Sequence, residues 1–187
     1  GSEGTLGFVV EATVRLTDAP KDLTVMLLSV PKLESLIEVM VTFREQVTLT
    51  AYEFFSEKAL QHVVSHGGGQ HPFSVPGTYY ALLEFDRTDD DVGARALQAF
   101  EACLEEGLAT DGLISENLRQ YKDLWRFREG ISESITPHTP YKNDISVTVS
   151  QVPAFLRAVE DAVTRRYPDF EIIWFGHIGD GNLHLNI

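Results

Sequence analysis

Two histidines seven residues apart, His177 and His184, flank the run Ile178-Gly179-Asp180-Gly181-Asn182-Leu183 near the end of this 187-residue chain. Imidazole is the commonest protein ligand for a divalent metal, so two of them held on one surface could form part of a metal centre. Whether they share a surface depends on the backbone between them. Asp-Gly between apolar stretches predicts a two-residue type I′ hairpin turn at Asp180 and Gly181. That turn would pair Gly179 with Asn182, Ile178 with Leu183, His177 with His184, Gly176 with Leu185 and Phe175 with Asn186. Gly176, Ile178, Leu183, Leu185 and Ile187 would then face the core. Phe175, His177, Asn182, His184 and Asn186 would take the other face, with the two histidine Cβ atoms about 4.5 to 5.5 Å apart. Such a pair can converge on one ion, although a catalytic metal needs at least a third protein ligand and an open position. From spacing alone, histidines on a solvated sheet face are the commoner outcome; a Gly-Asp-Gly-Asn tip carrying two of them argues for more.

The elements that would hold this hairpin recur along the chain. Three stretches share the order apolar strand, amphipathic helix, strand. The first runs Leu23 to Ser29, Pro31 to Arg44 and Val47 to Tyr52; the second Tyr79 to Phe85, Asp91 to Glu106 and Gly112 to Ile114; the third Ile145 to Val149, Pro153 to Tyr167 and Glu171 to Phe175. Pro31 and Pro153 open helices, where a missing N–H is tolerated. Such units predict an α+β fold of ferredoxin-like repeated βαβ units, a mainly antiparallel sheet with helices on one face. Two segments interrupt the repeat. His62 to Pro76 reads as an exposed loop, and Glu116 to Ile135 as an extra helix stopped by Pro137 and Pro140. His62, His66 and His71 are a second conceivable metal group, but the Gly67-Gly68-Gly69 context favours a plain loop. At the start, Gly1-Ser2-Glu3-Gly4-Thr5-Leu6-Gly7 reads as a glycine-rich turn feeding an alternating strand from Phe8 to Leu16.

Composition removes some classes of function. With 43% hydrophobic residues the chain can bury a real core. Its 28 acidic against 15 basic side chains give a net charge of -13, which repels phosphate backbones and anionic membrane surfaces, so no nucleic-acid partner is expected. No apolar run approaches the roughly 20 residues of a membrane span, and the start lacks the basic and apolar regions of a signal peptide. A cytoplasmic location is expected, and attachment at the periphery of the inner membrane is compatible with it. The single Cys103 excludes an internal disulfide and a multi-cysteine metal site, which fits a reducing compartment.

Taken together, the motifs resemble a known family. Gly1 to Gly7, Arg128, the run Lys142-Asn143-Asp144-Ile145-Ser146, and Gly176-His177 through His184-Leu185-Asn186 are similar to those of the FAD-linked D-2-hydroxyacid dehydrogenases of the vanillyl-alcohol-oxidase type. Members acting on D-2-hydroxyglutarate are nearest in pattern; those acting on D-lactate or glycolate share much of it. The resemblance implies that residues 1–16 are a remnant of the FAD-binding domain, with Gly1, Ser2, Glu3, Gly4, Thr5 and Gly7 at the flavin. Residues 20–187 would form the substrate and metal domain, cut short at its C-terminus. By the same resemblance His177 and His184 bind a divalent metal, zinc by type, Asn186 contacts substrate, and Arg128, Ser132 and Lys142 clamp its carboxylate. Ser132 stands where the family has threonine, and the loop to Lys142 is one residue shorter. Arg128 and Ser132 are four apart and hence on one helical face, with Leu124, Phe127, Ile131 and Ile135 as the adjacent buried stripe. A forked guanidinium beside an ammonium suits an anionic hydroxyacid.

The family's third metal ligand and its histidine base lie beyond Ile187, so no catalytic residue is expected within the chain, which is expected to be an inactive fragment. The implied reaction is oxidation of a D-2-hydroxyacid to the 2-oxoacid, the hydroxyl polarised by metal, its proton taken by the base and hydride passed from C2 to flavin. Electrons would leave through a carrier protein or a quinone, and a homo-oligomer is compatible with the sequence. Two other readings use the same residues. In a metal-dependent hydrolase His177, Asp180 and His184 would share one ion, against which Asp180 at the turn apex points away from the histidine face. A non-catalytic ferredoxin-like ligand-binding module is supported equally by the βαβ layout alone.

Overall fold

A computed structural model describes residues 4–187. One antiparallel sheet contains β1 (Leu23–Val30), β2 (Leu49–Ser56), β3 (Tyr79–Asp86), β4 (Asp111–Ile114), β5 (Lys142–Ser146), β6 (Ile173–His177) and β7 (Asn182–Asn186), in the order β4-β1-β3-β2-β6-β7-β5. β1 pairs with β3 residue for residue, from Leu23↔Asp86 to Val30↔Tyr79. Almost every residue of both strands is buried. Since successive side chains point to opposite faces, such strands need cover on both sides.

The three helices of the repeat, α1 (Leu33–Gln46), α3 (Val92–Glu105) and α6 (Val152–Arg166), lie on one face. There Leu36, Phe43, Ala96 and Leu156 pack against Met26, Leu28, Phe54, Leu83 and Trp174. The α+β class, the antiparallel sheet and this single layer of repeat helices follow the sequence pattern. The other face is covered by segments outside the repeat: α2 (Glu57–Val63), α4 (Leu118–Glu129) and α5 (Ile131–Ile135). Their Leu60, Val63, Leu124, Ile131 and Ile135 meet Val25, Leu27, Phe55, Tyr80 and Phe175. Lys142, Asp144 and Ser146 of β5 point to this second side and stay exposed.

Several segments differ from expectation for identifiable reasons. Residues 8–19 are exposed, Phe8 at 92% and Val10 at 95%, and join no strand among the described residues. An alternating pattern becomes a strand only when a neighbour takes its backbone hydrogen bonds. The stretch from His62 is not a plain loop either. α2 runs through Val63, and Phe73 is buried, stacked on Tyr80 with ring centroids 5.6 Å apart. The helix expected from Glu116 to Ile135 breaks at Gly130 into α4 and α5. No helix among the described residues is long and apolar enough to cross a membrane.

Cys103 of α3 is fully buried beside Thr42 of α1, and burial pushes its thiol up to about 11. At pH 8 almost none of it is thiolate, the reactive form. The folded protein should therefore resist Ellman's reagent at that pH, and the cysteine should react once urea unfolds the domain. Rapid reaction without denaturant would contradict the α1–α3 packing.

Candidate functional site

β6 and β7 are joined by the four residues Ile178, Gly179, Asp180 and Gly181, and the register is Phe175↔His184 and His177↔Asn182. The expected two-residue turn and the direct His177–His184 pairing are thus corrected by two positions. The wider loop is closed by Asp180 N–H to the His177 carbonyl at 3.1 Å and Gly181 N–H to the Ile178 carbonyl at 3.2 Å. Gly181 takes a left-handed φ of 80°, and Asp180 Oδ1 accepts the Asn182 N–H at 3.0 Å. Long-range bonds hold this shape. Gly179 N–H reaches the Tyr52 carbonyl at 3.2 Å, Arg44 Nη2 donates to the Gly179 carbonyl at 3.2 Å, and Val147 N–H donates to the Gly181 carbonyl at 3.1 Å. A shift of two leaves every side chain on its face, because the strand period is two. Phe175, His177, Asn182, His184 and Asn186 therefore share one face, with the two imidazoles diagonal, edge to face, and their centroids 5.4 Å apart.

Each imidazole meets a carboxylate from a neighbouring strand. β2 docks on β6 through Phe54↔Gly176 and Phe55↔Phe175, which puts Glu53 on the histidine face. Glu53 is 5% exposed; its Oε1 lies 2.5 Å from His177 Nδ1, and its Oε2 accepts from Arg128 Nε at 2.9 Å. The Arg128 guanidinium sits 4.7 Å from the centroid of the Phe175 ring. Burial lowers the Arg128 pKa and Glu53 opposes the shift; an arginine remains a cation under such conditions. On the other side Asp144, opposite His184 in the β5–β7 pair, bonds His184 Nδ1 through Oδ1. Each carboxylate thus meets the Nδ1 side of its ring, which leaves Nε2 of both imidazoles without a carboxylate against it. Metal-binding histidines are commonly oriented in this way.

Arg128 is carried by α4, which Glu84 of the sheet anchors. Tyr121 Oη and Trp125 Nε1 donate to Glu84 Oε2 at 2.5 and 3.0 Å, and Thr50 Oγ1 donates to Glu84 Oε1 at 2.6 Å. Tyr121, Trp125 and Arg128 share one face of α4. The Glu84 anchor thus sets where Arg128 lands. Burial and the bond to Glu84 push the Tyr121 hydroxyl up to about 12, which keeps it a donor. Ser132 lies in α5, beyond the break, and accepts from Lys142 Nζ at 3.1 Å. Lys142 opens β5 opposite Asn186. Asn186 is 2% exposed, and its Nδ2 donates to the Ile173 and His184 carbonyls at 3.4 Å each. The clamp residues therefore form two pairs, Arg128 with Glu53 and Lys142 with Ser132. On the histidine face, Asn182 Oδ1 is buried and has no hydrogen-bond partner among the described residues.

Other sequence candidates fall elsewhere. His62 Nε2 lies 2.8 Å from Glu171, whereas His71 joins Phe73, Glu57 and Tyr80, so His62, His66 and His71 do not share one centre. Asp180 serves the turn. No group of three or more His, Cys, Asp or Glu side chains is arranged to hold a metal among the described residues. Gly4, Thr5 and Gly7 are exposed, with nothing within 4 Å of where a Cβ would stand on either glycine. Gly1, Ser2 and Glu3 lie outside the described residues. Glu53 was missed by motif reading; its one local signal is a charge inside the apolar run Tyr52-Glu53-Phe54-Phe55.

Comparison with known proteins shows the family of the chain. The family described as FAD linked oxidases, C-terminal domain, matches residues 19–187. The chain is 53% identical over 187 residues to the D-2-hydroxyglutarate dehydrogenase of Stutzerimonas stutzeri and 51% identical to that of Xanthomonas citri pv. viticola. It is covered completely in both alignments but spans only 40% and 39% of those proteins. The mitochondrial D-2-hydroxyglutarate dehydrogenase of Arabidopsis thaliana is 31% identical over 192 residues, with 100% of this chain and 34% of that protein covered. Among solved structures, an alkyldihydroxyacetonephosphate synthase matches with a TM-score of 0.58 at 15% identity, over 100% of this chain and 38% of that one, a likeness of fold.

Removing one member of a buried ion pair strands the other. Arg128→Met should therefore destabilise the folded protein by about 3–5 kcal/mol, read as a lowered urea midpoint. Adding Glu53→Gln should recover part of that loss. An unchanged midpoint in Arg128→Met would contradict the pairing.

Proposed function

We propose, from the premise that this chain belongs to the family of C-terminal domains of FAD-linked oxidases, that it is the substrate-binding part of a dehydrogenase that oxidises a D-2-hydroxyacid to the 2-oxoacid, D-2-hydroxyglutarate being the best supported substrate. The observation that carries the reading is the meeting of His177, His184 and the buried Arg128 on one sheet face, with Lys142 beside them, in a chain of net charge -13. An anion-binding surface in so acidic a chain has to be built deliberately. The identity to D-2-hydroxyglutarate dehydrogenases favours that substrate.

In this reading Arg128 spends Nε on Glu53 and keeps its two Nη groups for a substrate carboxylate, while Lys142 adds a second charge and Ser132 a hydroxyl. Asn186, opposite Lys142, is a further substrate contact. Asn182 Oδ1 is a buried acceptor that needs a donor, and the substrate's 2-hydroxyl supplies one. The donor set suits a divalent ion of the zinc type on the Nε2 atoms of His177 and His184, and such an ion would supply Lewis acidity at that hydroxyl. FAD, in the whole enzyme, supplies the hydride acceptor. The assignment of residues 1–16, with Gly1 to Gly7, to the flavin side rests on the family resemblance. A carrier protein or quinone as electron acceptor, and a homo-oligomeric state, belong to the same reading of the whole enzyme.

The test is flavin reduction in the full-length protein, followed by its absorbance, with D-2-hydroxyglutarate, D-lactate and glycolate in turn. D-2-hydroxyglutarate should reduce it fastest, a chelator should slow reduction, and His177→Ala with His184→Ala should abolish the chelator's effect along with most of the activity. If none of the three acids reduces the flavin, the reading is wrong.

A further inference from the structure

Glu53 belongs neither to the pair of metal-facing imidazoles nor to the substrate clamp, yet it touches one member of each. Its side chain is 6% exposed, with one oxygen on His177 Nδ1 and the other on Arg128 Nε. We propose that Glu53 is a positioning residue that fixes His177 in the tautomer presenting Nε2 while holding Arg128 over Phe175, so that one carboxylate sets the ion subsite and the anion subsite together. This rests on the reading of His177 as a metal ligand.

Glu53 takes the Arg128 Nε–H on Oε2 at 2.9 Å and turns Oε1 to the imidazole, and a carboxylate placed so offers its second neighbour an acceptor. The proton of the facing imidazole must therefore sit on Nδ1, which turns the lone pair of the neutral ring to Nε2. A carboxylate serving stability alone would be satisfied by Arg128 and its neighbours; here the second oxygen is aimed at a ring nitrogen. The other outer carboxylate is built differently. Asp144 is 60% exposed and has His184 as its side-chain partner.

That contrast gives the two isosteric amides opposite consequences. In Glu53→Gln the single amide oxygen is claimed by Arg128, so the NH2 group faces His177 Nδ1. That nitrogen must then accept, the proton moves to Nε2, and the lone pair leaves the metal side. In Asp144→Asn no second partner fixes the amide, which can turn its oxygen to His184 Nδ1 and leave that ring unchanged.

The experiment uses full-length protein labelled with 15N-histidine, stripped of metal and held at about pH 8.5, above the ordinary imidazole range. Long-range proton–nitrogen correlations report each ring's tautomer, and titration with Mn2+ followed by electron paramagnetic resonance reports affinity. Wild type should show His177 with its proton on Nδ1. Glu53→Gln should show it on Nε2 and bind Mn2+ about 10- to 100-fold more weakly, whereas Asp144→Asn should change both far less. A wild-type His177 protonated on Nε2, or a Glu53→Gln variant with unchanged tautomer and affinity, overturns the proposal. Should Glu53→Gln fail to fold, the wild-type spectrum still decides. Should wild type take up no Mn2+, the metal reading falls, while the tautomers of wild type and Glu53→Gln still decide the role of Glu53.

Discussion

β6 meets β2 through two register pairs, Phe54↔Gly176 and Phe55↔Phe175, and this short seam joins β4-β1-β3-β2 to β6-β7-β5. Antiparallel partners share a face, so the seam determines which side of β2 looks at the histidines. A slip of one residue would put Phe54 beside His177 and turn Glu53 into the layer of Trp174 and α1. Gly176 permits the close approach on which the hairpin depends. A Cβ there would stand 2.5 Å from the Asn182 carbonyl oxygen and 2.9 Å from Leu183 Cα. No side chain fits that space, and the position must be empty for β7 to bring His184 alongside Phe175.

The same face carries two buried carboxylates, and both serve α4. Glu84 accepts from Thr50, Tyr121 and Trp125, and Glu53 pairs with Arg128. An unpaired carboxylate in such surroundings would be costly, so each must be fully partnered. α4 packs Leu124 into the core with Tyr121, Trp125 and Phe127 partly buried around it, and Arg128 is buried beside them. To that apolar contact the sheet adds polar bonds with specific donors and acceptors, through Glu84 and Glu53. A helix held in this way delivers a guanidinium to a defined point, which apolar packing alone would do less selectively.

How much of this was legible in the sequence follows from which constraints are local. His177 and His184 could be placed on one face because a two-residue error in register preserves parity. The loop length could not, because the bonds that hold the tip come from segments far off in sequence, Tyr52 in β2 and Val147 just after β5. Arg128 and Ser132 have helical spacing, but the break at Gly130 separates them, and Arg128 is drawn to Glu53 instead. Glu53 shows locally only as a charge in an apolar run, because its partners depend on the β2–β6 seam, which no local pattern specifies. The alternation of Phe8 to Leu16 is strand-like, yet those residues stand exposed without a neighbouring strand among the described residues.

Under the proposed function, the hairpin would present two imidazoles, each bonded to a carboxylate, to one ion beside Arg128. Anomalous diffraction at the manganese edge, from crystals of the full-length protein soaked with Mn2+ and 2-oxoglutarate, addresses it most directly. The expected result is a peak coordinated by Nε2 of both His177 and His184, with their Nδ1 atoms still on Glu53 and Asp144 and a ligand carboxylate on Arg128. A peak on an Nδ1 atom, or away from the hairpin, would contradict it.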